Sequence, residues 1–155
     1  MNRQIEILTL DKISLDEFSE FIIQVNNDFI PPLLDRIDIE LFFNKIKCYS
    51  NSFICRVDNR IAGLLILYAN NFEEKKAYIS LLATKSEYRC MGIATKLLST
   101  SFDYARIRGM LNIGVHTFKD SLVEYYMKRG FSVVSQEYSN ERKVDRYYLE
   151  KKLKQ

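Results

Sequence analysis

The run Glu87-Tyr88-Arg89-Cys90-Met91-Gly92-Ile93-Ala94-Thr95-Lys96-Leu97-Leu98 joins an apolar stretch to an amphipathic one. Gly92 is a poor helix former, yet it stands where the helical spacing of Ile93, Leu97, Leu98, Phe102 and Ala105 begins. A strand that passes through a tight loop into a helix N-terminus makes an anion site. The first amide N–H groups of a helix have no intrahelical partner, and the helix dipole adds partial positive charge. Glycine at 92 removes the Cβ that would hold an oxyanion away, small Ala94 does nearly the same, and Arg89 offers a charge-assisted contact. The chemistry indicated is the binding of a phosphate or pyrophosphate. A structural reading of the same residues stays open, with Gly92 permitting close helix–sheet packing and Arg89 a surface cation. Neither GxxxxGK[ST] nor GxGxxG occurs, so a P-loop and a dinucleotide fingerprint are unsupported.

Two further side chains could do acid–base work. His116 is the only histidine, and its ring titrates in the range that suits general acid–base work. A hydrogen-bonded structural role is equally open to it. Tyr126 falls on the apolar side of a helical stretch, where it reads first as a core aromatic. Glu87 and Asp120 are explained by loop and helix-cap roles. Cys48, Cys55 and Cys90 are odd in number and form no CxxC pair, so neither a disulfide framework nor a zinc site is expected. No metal is called for. A nucleophilic Cys90 has no histidine near it in sequence to activate it.

The elements that must position these residues follow from periodicity and punctuation. Gln4 to Leu10 reads as a strand. Ser14 and Glu17 have capping-box spacing, with Leu15, Phe18, Ile22 and Val25 as the apolar face of a first helix, which the Pro31-Pro32 pair breaks. Asp38 caps a second helix in which Leu41, Phe42, Lys45 and Ile46 divide into apolar and charged faces. Phe53 to Val57, the turn Asp58-Asn59 and Ile61 to Tyr68 form a hairpin. "IAGLLILY" is apolar on both faces, so its strand is central. Ala77 to Thr84 is another buried strand, and the Gly92 helix ends at Arg106-Ile107-Arg108-Gly109. Asn112 to Thr117 is a strand. Asp120 then caps a helix with Leu122, Val123 and Tyr126 inward, and Gly130 ends it. Strands from Phe131 to Tyr138 and from Lys143 to Leu153 complete the order β-α-α-β-β-β-α-β-α-β-β. The strand–helix–strand unit from Ala77 to Thr117 should be a right-handed crossover with parallel strands.

Composition bounds the function. The 155 residues fit one domain spanning 1–155, with 10 Tyr and 10 Phe supplying core volume. A formal charge of +3 is well short of a phosphate-backbone binder, so nucleic acid is not an expected partner, and the Lys151-Lys152-Leu153-Lys154 tail reads as a solvated strand end. Residues 1–6 carry no signal-peptide h-region and no apolar run approaches spanning length. A cytoplasmic protein with no membrane partner is therefore expected.

Arg89-Cys90-Met91-Gly92-Ile93-Ala94 resembles the R/Q-x-x-G-x-G/A signature of the GNAT superfamily of acyl-CoA-dependent N-acetyltransferases. Tyr125-Tyr126-Met127-Lys128-Arg129-Gly130-Phe131 is similar to that family's "LYxKxGF" segment. The likeness runs from about Ile61 to the C-terminus. It implies an α/β fold with a mixed, mostly antiparallel central sheet, a parallel splayed strand pair and helices on both faces, the acyl-CoA N-acyltransferase fold. It implies acetyl-CoA as co-substrate, its pyrophosphate held by backbone N–H groups of Met91, Gly92, Ile93, Ala94 and Thr95 with Arg89 and Cys90 in the same loop. The pantetheine arm would bond the Leu82 and Thr84 backbone in the splay, where a backbone donor polarises the thioester carbonyl. Tyr126 would protonate the departing thiolate and His116 would serve as base.

Departures from the pattern matter too. Cys90 and Met91 stand where glycine and a basic residue are frequent, which implies weaker coenzyme binding without its loss. Lys119 replaces a frequent asparagine and reads as solvated. Direct transfer within a ternary complex, as the resemblance implies, also leaves Cys90 without a covalent role. The acceptor expected is a small-molecule amine, such as an amino sugar or sugar nucleotide, met by the "NNDFIPPLLDRID" segment. A protein or peptide acceptor, or a noncatalytic acyl-CoA-binding module, are the alternatives. A homodimer is compatible with this reading.

Overall fold

The computed structural model describes residues 3–154. Its strands are β1 (Ile5–Thr9), β2 (Phe53–Val57), β3 (Arg60–Asn71), β4 (Lys76–Thr84), β5 (Asn112–Thr117), β6 (Ser132–Ser139) and β7 (Val144–Lys152). The helices are α1 (Leu15–Val25), α2 (Ile39–Tyr49), α3 (Ile93–Ile107) and α4 (Asp120–Met127). The strands form one mixed sheet in the order β1-β2-β3-β4-β5-β7-β6, with β4 and β5 parallel and the β1–β2, β2–β3, β5–β7 and β6–β7 pairs antiparallel. The chain clusters into two compact units, the first comprising residues up to Tyr68 with Leu81–Ser101 and the second Ala69–Ser80 with the residues from Phe102 onward.

In the first unit α1 starts as the sequence dictates. Ser14 Oγ accepts from Glu17 N–H at 3.1 Å while Glu17 Oε1 accepts from Ser14 N–H at 3.2 Å, completing the capping box. Phe18, Phe21, Ile22 and Val25 turn inward and join Phe43, Ile46, Ile54, Leu64, Ile66, Leu81 and Ala83 in one apolar cluster. Each such fully buried side chain contributes about 1.5–3 kcal/mol of hydrophobic stabilisation. On the opposite face, the missing Cβ of Gly63 leaves room for Ile93 and Leu97 of α3. Helices therefore cover both faces here. Asp58 and Asn59, at φ 48° and 69°, make the two-residue turn between β2 and β3. The ladder shifts register between Cys55 and Arg56. The Ala62 carbonyl then accepts from Lys85 N–H at 2.9 Å, tying the end of β4 to β3.

Three local expectations are corrected. Helix α1 ends at Val25 in a 3-10 turn over Asn26–Asp28, ahead of the proline pair. Leu41 is 70% exposed, and α2 buries Phe43 along with the expected Ile46, while Asp38 caps the helix as expected by accepting from Leu41 N–H at 3.0 Å. Asp120 is the first residue of α4 and makes no cap. Lys119 is the N-cap, and the Asp120 carboxylate accepts from Tyr147 Oη at 3.1 Å. In that helix only Tyr126 is buried, and Leu122 is 37% exposed.

In the second unit β4 and β5 pair in parallel from Lys76–Asn112 through Ile79–Val115. β7 lies antiparallel along the other side of β5, setting His116 opposite Tyr148 and Gly114 opposite Glu150. Ile113, Val115 and Leu149 are buried, whereas β6 is exposed along nearly its whole length. Among the described residues no helix is long and apolar enough to cross a membrane.

Candidate active site

The first unit holds the loop singled out by its glycine. Along β4, Leu81 and Ala83 enter the apolar core while Leu82 and Thr84 are half-buried on the other face. A 3-10 turn over Ser86–Tyr88 follows, with Tyr88 buried. The backbone then becomes left-handed at Cys90, φ 64°, and again at Gly92, φ 78°. Such alternation curls the chain into a concavity of the kind that receives anions. A Cβ built on Gly92 meets nothing within 4 Å, so the glycine is required by its φ and faces open space. The close-packing reading of Gly92 is thereby set aside. In this unit that role belongs to Gly63.

Lys96 N–H donates to the Gly92 carbonyl at 3.0 Å, opening the α3 ladder, so the amides of Ile93 and Ala94 lie ahead of it. Ile93 is buried, Ala94 is partly exposed, and Thr95 and Gly92 are exposed. Met91 is half-buried, its Sδ accepting from Arg3 Nη1 at 3.7 Å. Arg89 is committed in a way the sequence did not signal. Its Nη2 lies 2.8 Å from Asp28 Oδ2, an ion pair between two side chains that are 51% and 40% exposed.

The second unit holds both acid–base candidates. Tyr126 is 5% exposed on α4, packed edge-on against Tyr125 at 5.5 Å and Phe131 at 5.3 Å between ring centroids. The local sequence explains why Tyr126 and Gly130-Phe131 travel together. Phe131 N–H donates to the Tyr126 carbonyl and Gly130 N–H to the Met127 carbonyl, both at 3.1 Å, with Gly130 at φ 95°. This is a Schellman ending, whose usual apolar contact is here the Tyr126–Phe131 ring pair. Burial pushes the Tyr126 phenol well above its ordinary range, with Tyr125 and Tyr78 adding to the effect. The hydroxyl therefore stays protonated through neutral pH and keeps a proton to give.

His116 on β5 lies between two tyrosines. Its Nδ1 is 2.6 Å from Tyr78 Oη, and its ring is 4.7 Å from that of Tyr148. Gly114 makes this possible, since a Cβ there would collide with the Tyr148 hydroxyl. Tyr148 Oη donates to Glu150 at 2.7 Å, and Glu150 pairs with Lys76 at 3.3 Å. Burial, with the nearby Arg146 charge second, lowers the His116 pKa below its usual value, while Glu137 works weakly the other way. The imidazole is neutral at physiological pH. With Nδ1–H donating to Tyr78, Nε2 keeps its lone pair as a base. With Tyr78 donating to Nδ1, proton transfer would run through the phenol.

Tyr78 is the site residue that sequence reasoning missed. It bonds His116 and lies within electrostatic reach of Tyr126. Its one signal was a phenol set between the apolar Ala77 and Ile79. The structure thus brings Arg89, Cys90, Met91, Gly92, Ile93, Ala94 and Thr95 into one loop of the first unit, after Leu82 and Thr84. In the second, Tyr78 bonds His116, while Tyr126 packs on Tyr125 and Phe131. Among the described residues no cluster of three or more His, Cys, Asp or Glu is placed to hold a metal.

Strand order, the parallel β4–β5 pair and the glycine-opened α3 define an acyl-CoA acyltransferase architecture. Residues 16–131 match the Acetyltransferase (GNAT) family, and the chain belongs to that family. Over 102 residues it is 32% identical to N-alpha-acetyltransferase 30 of Schizosaccharomyces pombe, a match covering 63% of each chain, so it spans under two thirds of that relative's length. The ribosomal-protein-S18-alanine N-acetyltransferase of Escherichia coli shares the fold, with a TM-score of 0.76 and 14% identity over 99% of this chain and 96% of that one. So does yncA of Salmonella typhimurium, an acetyltransferase structure with its cofactor acetyl-CoA, with a TM-score of 0.76 and 14% identity over 97% and 95%.

Proposed function

We propose that this chain transfers the acetyl group of acetyl-CoA to a primary amine. The observation that carries the reading is Gly92, left-handed at φ 78° with open space in front of it, at the head of α3. A diphosphate fits that concavity because the leading helix amides and the positive dipole end face it. Leu82 and Thr84, half-buried beyond the stretch of β4 that pairs with β5, suit hydrogen bonds to a pantetheine arm.

In the proposed reaction the neutral amine nitrogen attacks the thioester carbonyl carbon in a ternary complex. The amine proton leaves by way of His116 and Tyr78. As the C–S bond breaks, Tyr126 gives its proton to the sulfur, and the products are the N-acetyl amide and free coenzyme thiol. Burial serves both roles, keeping His116 unprotonated and Tyr126 protonated at the same pH.

For the acceptor, the 32% identical relative favours a polypeptide α-amine. The mixed apolar and charged segment from Asn26 to Asp38 favours a small polar amine as second reading. Free Cys48, Cys55 and Cys90 suit a reducing, cytoplasmic setting.

The test is Gly92→Glu, which sets a carboxylate in the anion site and strains φ. Acetyl-CoA binding, followed by calorimetry, should be abolished while the circular-dichroism spectrum stays native. Undiminished binding by a folded variant would defeat the assignment. A thiol-release assay on peptide α-amines and small amines then separates the two acceptors.

A further inference from the structure

Just before the Gly92 loop, the first unit contains a cavity of about 390 Å³ between the outward side of α1, the β2–β3 turn and the segment following β4. This is at the lower end of the range of about 300–1,000 Å³ typical of small-ligand sites. Lys85, only 9% exposed, lines it. Its Nζ lies 5.8 Å from the Phe21 ring and makes no hydrogen bond or ion pair among the described residues. The Lys85 stem is buried while its Nζ keeps solvent contact, so the wall presents a cation without a carboxylate partner to an incoming anion. Glu20 and Glu87 also line the cavity, and neither makes an ion pair among the described residues. Glu17, by contrast, is already held by Arg56 at 3.0 Å.

We infer that this cavity binds a small zwitterion, a free α-amino acid, with its carboxylate on Lys85 and its ammonium on Glu20 and Glu87. Both signs of charge on the walls select for both on the ligand. A phosphate or dicarboxylate would be repelled by the two glutamates, and a polyamine by Lys85 and Arg60. Gln24 and Tyr88 also line it and are able to add neutral hydrogen bonds. The segment Lys85–Tyr88 leads directly into Arg89, so an occupant would rest on the root of the Gly92 loop. The inference does not depend on acetyl transfer.

The experiment is calorimetric titration of the full chain, without acetyl-CoA, by the twenty free L-amino acids and by Ala-Ala dipeptide. The expected result is 1:1 binding of at least one free amino acid at millimolar or lower Kd. Its C-terminal amide and its N-acetyl form should each bind at least tenfold more weakly, and the dipeptide more weakly than the free amino acid. Lys85→Met should weaken binding tenfold or more. The doubly substituted E20Q/E87Q, altered only at exposed positions, should do the same and stays informative should Lys85→Met misfold. Absence of binding by every amino acid, equal binding of the charge-deleted analogues, preference for the dipeptide, or full affinity in E20Q/E87Q would each overturn the inference. Thiol release and coenzyme affinity are read separately, so a failure here leaves the acetyltransferase reading standing, and the reverse holds as well.

Discussion

Asp28→Asn should tighten acetyl-CoA binding, although Asp28 belongs to no element of the coenzyme loop. The reason is the 2.8 Å ion pair that holds Arg89 in the absence of ligand. A pyrophosphate seated at Gly92 would draw on the same guanidinium, so binding must first break or share the pair with Asp28. The two side chains are 51% and 40% exposed, and ion pairs with that solvent access contribute about 0.2–1 kcal/mol. Removing the competitor therefore lowers the dissociation constant by a factor of about 1.4 to 5, since 1.4 kcal/mol corresponds to tenfold. Asparagine keeps the shape and deletes the charge. The assay is titration with acetyl-CoA at low and at high salt, with the gain shrinking at high salt as screening weakens the pair. Any lost anion near a polyanion site would also help binding, so the decisive measurement is a double-mutant cycle. In an Arg89→Met background, Asp28→Asn should change the dissociation constant by less than a third of its effect in the unsubstituted chain. An equal effect in both backgrounds, or no effect in either, refutes the competition.

The remaining predictions bear on the proton path and on the loop. Tyr126→Phe should lower kcat at least tenfold with coenzyme Kd unchanged, and an unaltered kcat removes the acid role. His116 has a depressed folded-state pKa, so the unfolded state binds more protons once pH falls to about 6.5, the unperturbed value. Stability should therefore decline on acidification below about 6.5, and kcat should fall at still lower pH as the folded imidazole protonates. His116→Gln should flatten that part of both profiles. Cys48 and Cys90 are exposed while Cys55 is buried, its thiol pushed up to about 11 by that burial. Iodoacetamide followed by peptide mass spectrometry should modify the first two at least tenfold faster, and acetyl-CoA should protect Cys90 but not Cys48.

Much of the arrangement could be read before any coordinates because local rules wrote it. The Ser14–Glu17 box, the Asp58-Asn59 turn and the Gly130-Phe131 ending each act over a few residues, and each formed as read. The form of the Gly92 loop was legible for the same reason, since one glycine and one helix start suffice to mark it. What escaped notice joins residues far apart in sequence. Arg89 meets Asp28 across 61 positions and Tyr78 meets His116 across 38. No periodicity encodes such pairs, which depend on where the sheet registers fall. The α2 error differs in kind. Leu41 and Phe43 are both apolar, and two positions amount to about 200° of a helix. Phe43 is the one that faces the core, where its ring meets Phe18 of α1 at 4.7 Å, a contact between helices that neither cap nor spacing encodes.

Cys90 shows how the loop keeps its form with a residue poorly suited to its backbone. An L-residue in the left-handed region costs roughly 1–2 kcal/mol relative to its preferred conformations. Glycine removes that cost at position 92, yet Cys90 holds φ 64° without such relief. Strain of this size persists only where the surroundings over-determine the backbone, and here both ends of the loop are anchored. Tyr88 is buried just before it and Ile93 just after it, the latter against Gly63. Arg89–Gly92 must turn between these two buried side chains within four residues, and it does so through the left-handed pair. The amides ahead of α3 are thus presented by packing in the core as much as by the glycine. That is why a sequence without the first glycine can still offer an anion its row of donors.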